Sequence, residues 1–450
     1  MKIFNDWKLR FEKPDWAGSP EFGLIDVVLE SNPELINLLR KDITKYERES
    51  TFGRKDTPSV EQIVRAAIYK EMKGLNYREL EFAQLDSRIC ALFIKLDYRN
   101  PFSFQVLQKY ISLISAESLH HMMVEINKVA ILEGYEDVSK LRQDSTVVES
   151  DILYPTNNSL VWDCIRVSHR LLEELKKEVT DLKFQDYRKG AKKTYFKINV
   201  SKSSKNMHYL FCKQLIVFTK TINQATNALK KKAMTLTGIA LQAELADLVT
   251  VMEQIYDVAF AKEIEGVKVP NDEKLFSIFE RHTDIIVKGA RQVKFGHKVN
   301  LVTGKGNLIL DIHTEVGNPA DSSLYQPSLN RTISNYGIIP RDIATDGGYA
   351  SLDNMNYSKA QGITNVVFNK IVGSLQNRVT SLNIETRLKK WRSGIEANIS
   401  NWKRGFNIGR CNWKGWAHFQ AKVLWSAIAY NFRVLTGKML AQHRQELLAA

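Results

Sequence analysis

The stretch IATDGGYAS, residues 343–351, carries an apolar run up to Asp346 and follows it with Gly347 and Gly348. A carboxylate at the end of a hydrophobic strand either caps a turn or serves as a ligand. Two further acids share its character: Asp144 in KLRQDSTVVES, close to the β-branched Val147 and Val148, and Glu396 in RSGIEANISNWKRGFNIGR. Taken singly, each reads as structural: a strand-end residue, a turn residue, a helix-surface glutamate. Taken together they describe a chemistry. Three carboxylates in one cleft repel one another unless cations lie between them, and hard oxygen ligands suit Mg²⁺ or Mn²⁺. Two such ions about 4 Å apart can activate an attacking oxygen and stabilise a leaving one at a phosphodiester. On this reading Gly347 and Gly348 leave room for a polynucleotide backbone. Arg392 precedes Glu396 by four residues and Lys403 follows it by seven, so both fall near its helical face. With the adjacent Arg404 they offer cations to phosphates.

The elements that must position these residues follow from pattern. Residues 30–135 read as helices throughout. Within DTPSVEQIVRAAIYKEMKG, Thr57 is the expected N-cap, Pro58 the first helical residue and Gly74 the stop. The next segment, NYRELEFAQLDS, has the capping-box spacing in Asn76 and Glu79. The pair has the outline of a helix-turn-helix over about 57–86, with Arg65, Lys70, Lys73, Arg78 and Arg88 as basic residues that suit nucleic acid. From 139 the texture becomes β-rich around Asp144, and a long helical stretch then runs to about 260. Residues 293–317 read as two strands around a TGKGN turn, and His297 and Lys298 sit on the first of them. Helix, strand, helix and strand follow, then one helix carrying Glu396 and an amphipathic C-terminal helix. With the helical insertion removed, the order is β-β-β-α-β-α-β-α, that of an RNase H-like α/β domain. Its first and fourth strands lie side by side, which would bring Asp144 next to Asp346.

The expected organisation is therefore an all-α N-terminal DNA-binding domain (1–135), a catalytic domain in two pieces (136–157 and 285–435), an all-α insertion after the first strand (158–284), and a tail (436–450).

Composition points the same way. Sixty-four Lys and Arg against fifty Asp and Glu leave a net charge of +14, which favours a polyanionic partner. Residues 184–213 concentrate that charge. Arg188, Lys189, Lys192 and Lys193 stand there among Tyr187, Tyr195, Phe196 and Tyr209, as in a surface that tracks a nucleic-acid backbone. A solvated helix face is the plain alternative. The four cysteines have no CxxC spacing, which argues against a zinc site and a disulfide framework. No apolar run approaches the length that spans a bilayer, and MKIFNDWKLRFEK lacks the features of a signal peptide. No membrane partner and a cytoplasmic location are expected.

The segments RQDSTVVES, FGHKVNL, ATDGGYAS and RSGIEANISNWKRGFNIGR resemble the catalytic domain of bacterial insertion-sequence DDE transposases. Arg392, Glu396 and Lys403 match the R-x3-E-x6-K part of the signature Y-x2-R-x3-E-x6-K, with Lys389 standing in place of the tyrosine. EQIVRAAIYKEMKGLNYRELE is similar to the helical N-terminal domain of such enzymes, and the length and insertion look most like the ISNCY-type branch. The resemblance spans roughly residues 50–435. It implies Asp144, Asp346 and Glu396 as ligands of two Mg²⁺ or Mn²⁺ ions, with double-stranded DNA as partner at terminal inverted repeats and target. It further implies hydrolytic nicking followed by joining of the 3′-OH, and a homodimer or higher oligomer in the synaptic complex, in the bacterial nucleoid. Lys298, Arg392, Lys403 and Arg404 would serve the DNA beside the site, with Arg78 and the 188–193 cluster further out. An RNase H-fold nuclease that cuts without joining, or a catalytically silent DNA-binding relic, would carry much of the same pattern.

Overall fold

The computed structural model describes residues 18–45, 57–96, 101–288, 292–371 and 373–449. Parts of the expected N-terminal domain, 1–17 and 46–56, lie outside the described residues. The chain divides into two compact units, Met1–Glu149 with His297–Ala450, and Ser150–Gly296.

In the first unit, seven helices among the described residues come before the first strand: α1 (Pro20–Ser31), α2 (Glu34–Thr44), α3 (Val60–Lys73), α4 (Tyr77–Asp86), α5 (Arg88–Ile94), α6 (Phe104–Leu113) and α7 (Ala116–Leu132). Their ends are set by local chemistry. Asn76 and Glu79 form the expected capping box at α4, and Gly74 closes α3 in the left-handed conformation at φ +68°. The start of α3 differs from expectation. Ser59 rather than Thr57 is the N-cap, because its hydroxyl accepts from the Gln62 amide while the Gln62 side chain accepts from the Ser59 amide. The basic residues of this pair also differ. Arg65 is fully buried, ion-paired to Asp26, Glu30 and Glu61 at 2.6, 2.7 and 2.8 Å. Lys70 is buried against Glu71, which also pairs with Lys422. Arg65 ties α3 to α1, and Lys70 is buried beside its own helix neighbour; Arg78 is exposed and stacks over Phe104 at 4.2 Å.

The sheet comprises β1 (Lys140–Ser150), β2 (Asp284–Lys288), β3 (Gln292–Thr303), β4 (Ile309–Thr314), β5 (Asp342–Asp346), β6 (Asn365–Asn369) and the short β7 (Arg410–Cys411). Its order is β2-β3-β1-β5-β6, with β4 on β3 and β7 on β1. β5 lies parallel between β1 and β6, in register Gln143↔Thr345 and Asp346↔Asn369. β4 runs antiparallel to the second half of β3. Between the strands run α12 (Asp321–Tyr336), α13 (Leu352–Ala360), α14 (Leu382–Arg392) and α15 (Gly394–Gly405); α16 (Trp416–Ala449) ends the chain. The segment 436–449, expected as a tail, continues α16 as helix. One apolar core joins the N-terminal helices to the sheet and to α16, from Phe22 through Val299 and Phe368 to Trp425. The buried Asn431 amide donates to the Ile309 carbonyl and to Asn127, fixing α16 and α7 to β4 without leaving polar atoms unpaired.

The second unit is a helical bundle of α8 (Asn157–Glu178), α9 (Arg188–Val200), α10 (Ser204–Leu229) and α11 (Leu236–Glu263), with its own core around Leu172, Phe218 and Met252. β2 pairs antiparallel with residues 292–296 of β3 in this unit. No helix among the described residues is long and apolar enough to cross a membrane.

Candidate active site

β1 presents Arg142 and Asp144 two residues apart, hence on one face of the strand. Both reach the junction between α14 and α15. The Arg142 guanidinium is buried. It donates to the Trp391 carbonyl at 2.8 Å and to Thr303 Oγ1 at 3.0 Å, contacts Asn307, and lies over the Trp391 ring at 4.7 Å. Burial without a carboxylate partner pushes its pKa down to about 10. This arginine explains a departure from expectation: the helix expected to carry Glu396 without interruption is broken at Ser393 into α14 and α15. The Trp391 carbonyl at the break accepts from Arg142, and a Cβ at residue 394 would meet the same guanidinium, which glycine avoids.

The break turns Arg392 inward, where it meets all three acids. Its Nη2 lies 2.7 Å from Asp144 Oδ2 and 3.7 Å from Asp346 Oδ1, and its Nη1 lies 2.7 Å from Glu396 Oε1. The acids are graded in depth: their side chains are 17% exposed at Asp144, 44% at Asp346 and 65% at Glu396, around an arginine side chain exposed by only 6%. One guanidinium thus gathers carboxylates from β1, the end of β5 and the first turn of α15.

Other groups complete the surroundings. Asp321 Oδ1 accepts from Ser145 Oγ at 3.0 Å and from Lys298 Nζ at 3.1 Å. The Tyr349 hydroxyl donates to Asn300 at 2.8 Å, and burial, reinforced by Asp321 and Asp144, raises its pKa far above the ordinary value. Sequence reasoning passed over Tyr349 and Arg142; only the position of Arg142 two residues before Asp144 signalled it.

The two glycines also meet the protein's own packing. A Cβ on Gly347 would meet the Asn369 carbonyl oxygen at 2.7 Å and the Lys370 carbonyl carbon at 2.9 Å, besides the Lys370 oxygen. On Gly348 it would meet Asp321 Oδ2 at 3.1 Å. At Gly347 the space is taken by the backbone that follows β6, whereas Gly348 is exposed.

The expected DNA-contacting cations divide into two groups. Arg392 is buried among the carboxylates, Lys403 Nζ donates to the Val147 carbonyl at 2.6 Å, and Lys298 Nζ to the Pro319 carbonyl at 2.6 Å. Arg188, in the second unit, is clamped by Asp186 and Glu173. Arg404, Arg78, Lys189, Lys192 and Lys193 are exposed. His297 is buried against Trp416 and Phe419 at ring distances of 4.5 and 4.9 Å, and Asp311 is buried against Arg331. Trp402 is core; its indole donates to Ser426 at 2.9 Å.

Residues 273–432 match the family described as transposase DDE domain. That stretch is similar to a transposase DDE domain. Neither a curated protein nor a solved structure matches it. The match to the DDE domain includes Asp346, Arg392, Glu396 and Lys403; Asp144 precedes it and is joined to it through the β1–β5 pairing and Arg392. The donor set of this site fits a divalent ion chemically: three carboxylates facing one positive centre, all hard oxygen. Among the described residues no three acids, histidines or cysteines stand at the mutual spacing of a formed metal cluster, and the centre the carboxylates face is the guanidinium.

Proposed function

We propose that this chain is the transposase of a bacterial insertion sequence, which binds the inverted repeats at the ends of its element, cuts DNA there and joins the freed 3′-OH to a target. The observation that carries the proposal is the convergence of Asp144, Asp346 and Glu396 on Arg392 from elements far apart in sequence. The strand order β4-β3-β1-β5-β6, with β5 parallel to both neighbours, supports an RNase H-like reading of the catalytic domain.

Asp144, Asp346 and Glu396 would hold two Mg²⁺ or Mn²⁺ ions. Bound there, the metal would supply Lewis-acid activation of the attacking oxygen and charge stabilisation of the leaving one. The chain's own residues do the positioning. Asp144 is fixed from below by β1, Asp346 by the close approach at Gly347, and Glu396 by the Arg142-anchored junction. Holding the attacking and leaving oxygens in line in such a frame is the larger part of catalysis for phosphoryl transfer. Arg404, next to the site in sequence, and the exposed Lys189, Lys192 and Lys193 of α9 would take DNA phosphates, and Arg78 with α3 and α4 would contribute in the N-terminal helices. Joining two ends in one complex would require a homodimer or higher oligomer.

Incubating the protein with Mg²⁺ or Mn²⁺ and labelled DNA carrying the element's ends, beside Asp346→Ala, tests the proposal. Cleavage at the end and joining to a second DNA, both lost in the variant, are expected. Cutting without joining would identify a nuclease, and binding without cutting under either metal a silent relic.

A further inference from the structure

Arg392 is an unusual neighbour for a metal site. Its guanidinium is 5% exposed, touches each of the three carboxylates, and leaves its Nε buried without a hydrogen-bond partner. A buried arginine normally satisfies all its donors, so this side chain is placed for charge rather than for complete hydrogen bonding. Three carboxylates with one guanidinium carry 1 − 3 = −2. Without the arginine the same acids would carry −3 and repel one another.

We propose that Arg392 is the site's internal counter-cation: it holds the three carboxylates together before metal binds, and it competes with divalent metal for the same oxygens. The inference rests on the metal-site reading above and adds to it an antagonism between one side chain and the metal. Asp144 Oδ2 and Glu396 Oε1 each accept from the guanidinium at 2.7 Å, so an incoming cation shares these oxygens with Arg392 and weakens its hold on them. Arg392 is the last residue of α14, next to Ser393.

The test is Mn²⁺ binding to the full chain without DNA, read by the loss of the free-ion electron paramagnetic resonance signal. Arg392→Gln removes the competing charge, and its Mn²⁺ dissociation constant is expected to fall about tenfold or more, since a like charge a few ångströms from a divalent ion is removed. An unchanged or weaker affinity would overturn the proposal and leave Arg392 as a positioning residue that merely orients the acids. A second measurement uses the unaltered protein: modification by an arginine-selective dicarbonyl reagent, located by mass spectrometry. Arg392 is expected to be protected without metal and to become reactive at saturating Mn²⁺; protection that persists with metal bound contradicts competition. Asp346→Asn separates the two levels. If the unaltered protein and Asp346→Asn both fail to bind Mn²⁺, the metal-site reading falls with the proposal. If Asp346→Asn loses binding while Arg392→Gln gains none, only the counter-cation falls.

Discussion

Replacing Gly347 by alanine separates two explanations of the glycine pair after Asp346. The added Cβ would lie 2.7 Å from the Asn369 carbonyl oxygen and 2.9 Å from the Lys370 carbonyl carbon, against an ordinary separation of about 3.5 Å. The obstructing atoms are backbone at the end of β6, where Asp346 and Asn369 are in register, so no side chain can swing aside. The two segments must part by about half an ångström or more. Overpacking of this kind costs about 2 kcal/mol, which lowers the melting temperature by about 2 °C in a chain of this size. Asp346 is the adjacent residue and moves with the strain; a misplacement approaching 1 Å in a reacting constellation costs about a hundredfold in rate. Gly348→Ala is the control. Its Cβ meets only the Asp321 carboxylate, at 3.1 Å, which is a side chain that can yield. Calorimetry and a metal-dependent DNA-nicking assay on both variants give the answer. Gly347→Ala should lose stability and nicking together, and Gly348→Ala should keep its melting temperature within about 1 °C. If Gly347→Ala melts like the unaltered protein yet loses DNA binding, the glycine makes room for DNA and the packing argument is wrong.

Further perturbations follow from other parts of the molecule. Arg331→Ala strips the fully buried Asp311 of its bidentate partner and should destabilise by about 3 kcal/mol in urea unfolding. Burial pushes the Asp311 pKa up, but His120 and Arg331 more than offset it, so its folded value lies below the unfolded one. Its stabilising contribution is therefore present above about pH 4 and lost as pH falls through the lower folded value, and Asp311→Asn should flatten the urea midpoint across that acid range. Asn76→Ala removes the acceptor for the Arg78 and Glu79 amides and should cost about 1 kcal/mol by the same unfolding assay, with Asn76→Asp close to unaltered. Changing Lys189, Lys192 and Lys193 together to glutamine should leave the melting temperature unchanged and reduce the slope of log affinity for DNA against log salt by about 2–3; an unchanged slope would make α9 a solvated face.

What was legible in the sequence was local or periodic. The Asn76–Glu79 capping box, the Gly74 stop and the β1 strand around Asp144 are set by residues within one turn or one strand, so spacing alone finds them. The start of α3 was misplaced by two residues because Thr57, Pro58 and Ser59 all carry start signals, and only the reciprocal bond to Gln62 chooses among them. Long-range partners were not legible. Arg65 looks like part of a basic face until folding brings Asp26 and Glu30 to it, and Lys70 until folding buries it beside Trp413. The break at Ser393 depends on Arg142, which reaches Trp391 from β1, and the inward turn of Arg392 depends on Asp144. Element order did bring the three acids into one candidate site, because strand pairing is constrained by connectivity even where contacts are not. It said nothing about the arginine between them.

The measurement that bears most directly on the three-carboxylate site needs no knowledge of the element's ends. Fe²⁺ with ascorbate and peroxide, added to the protein alone, generates radicals that cut the polypeptide where the ion is bound, and mass spectrometry reads the fragments. Cuts beside residues 144, 346 and 396, suppressed by excess Mg²⁺ and absent in Asp346→Asn, are the expected result. Cuts elsewhere, or the same cuts in Asp346→Asn, would contradict a metal site built from Asp144, Asp346 and Glu396.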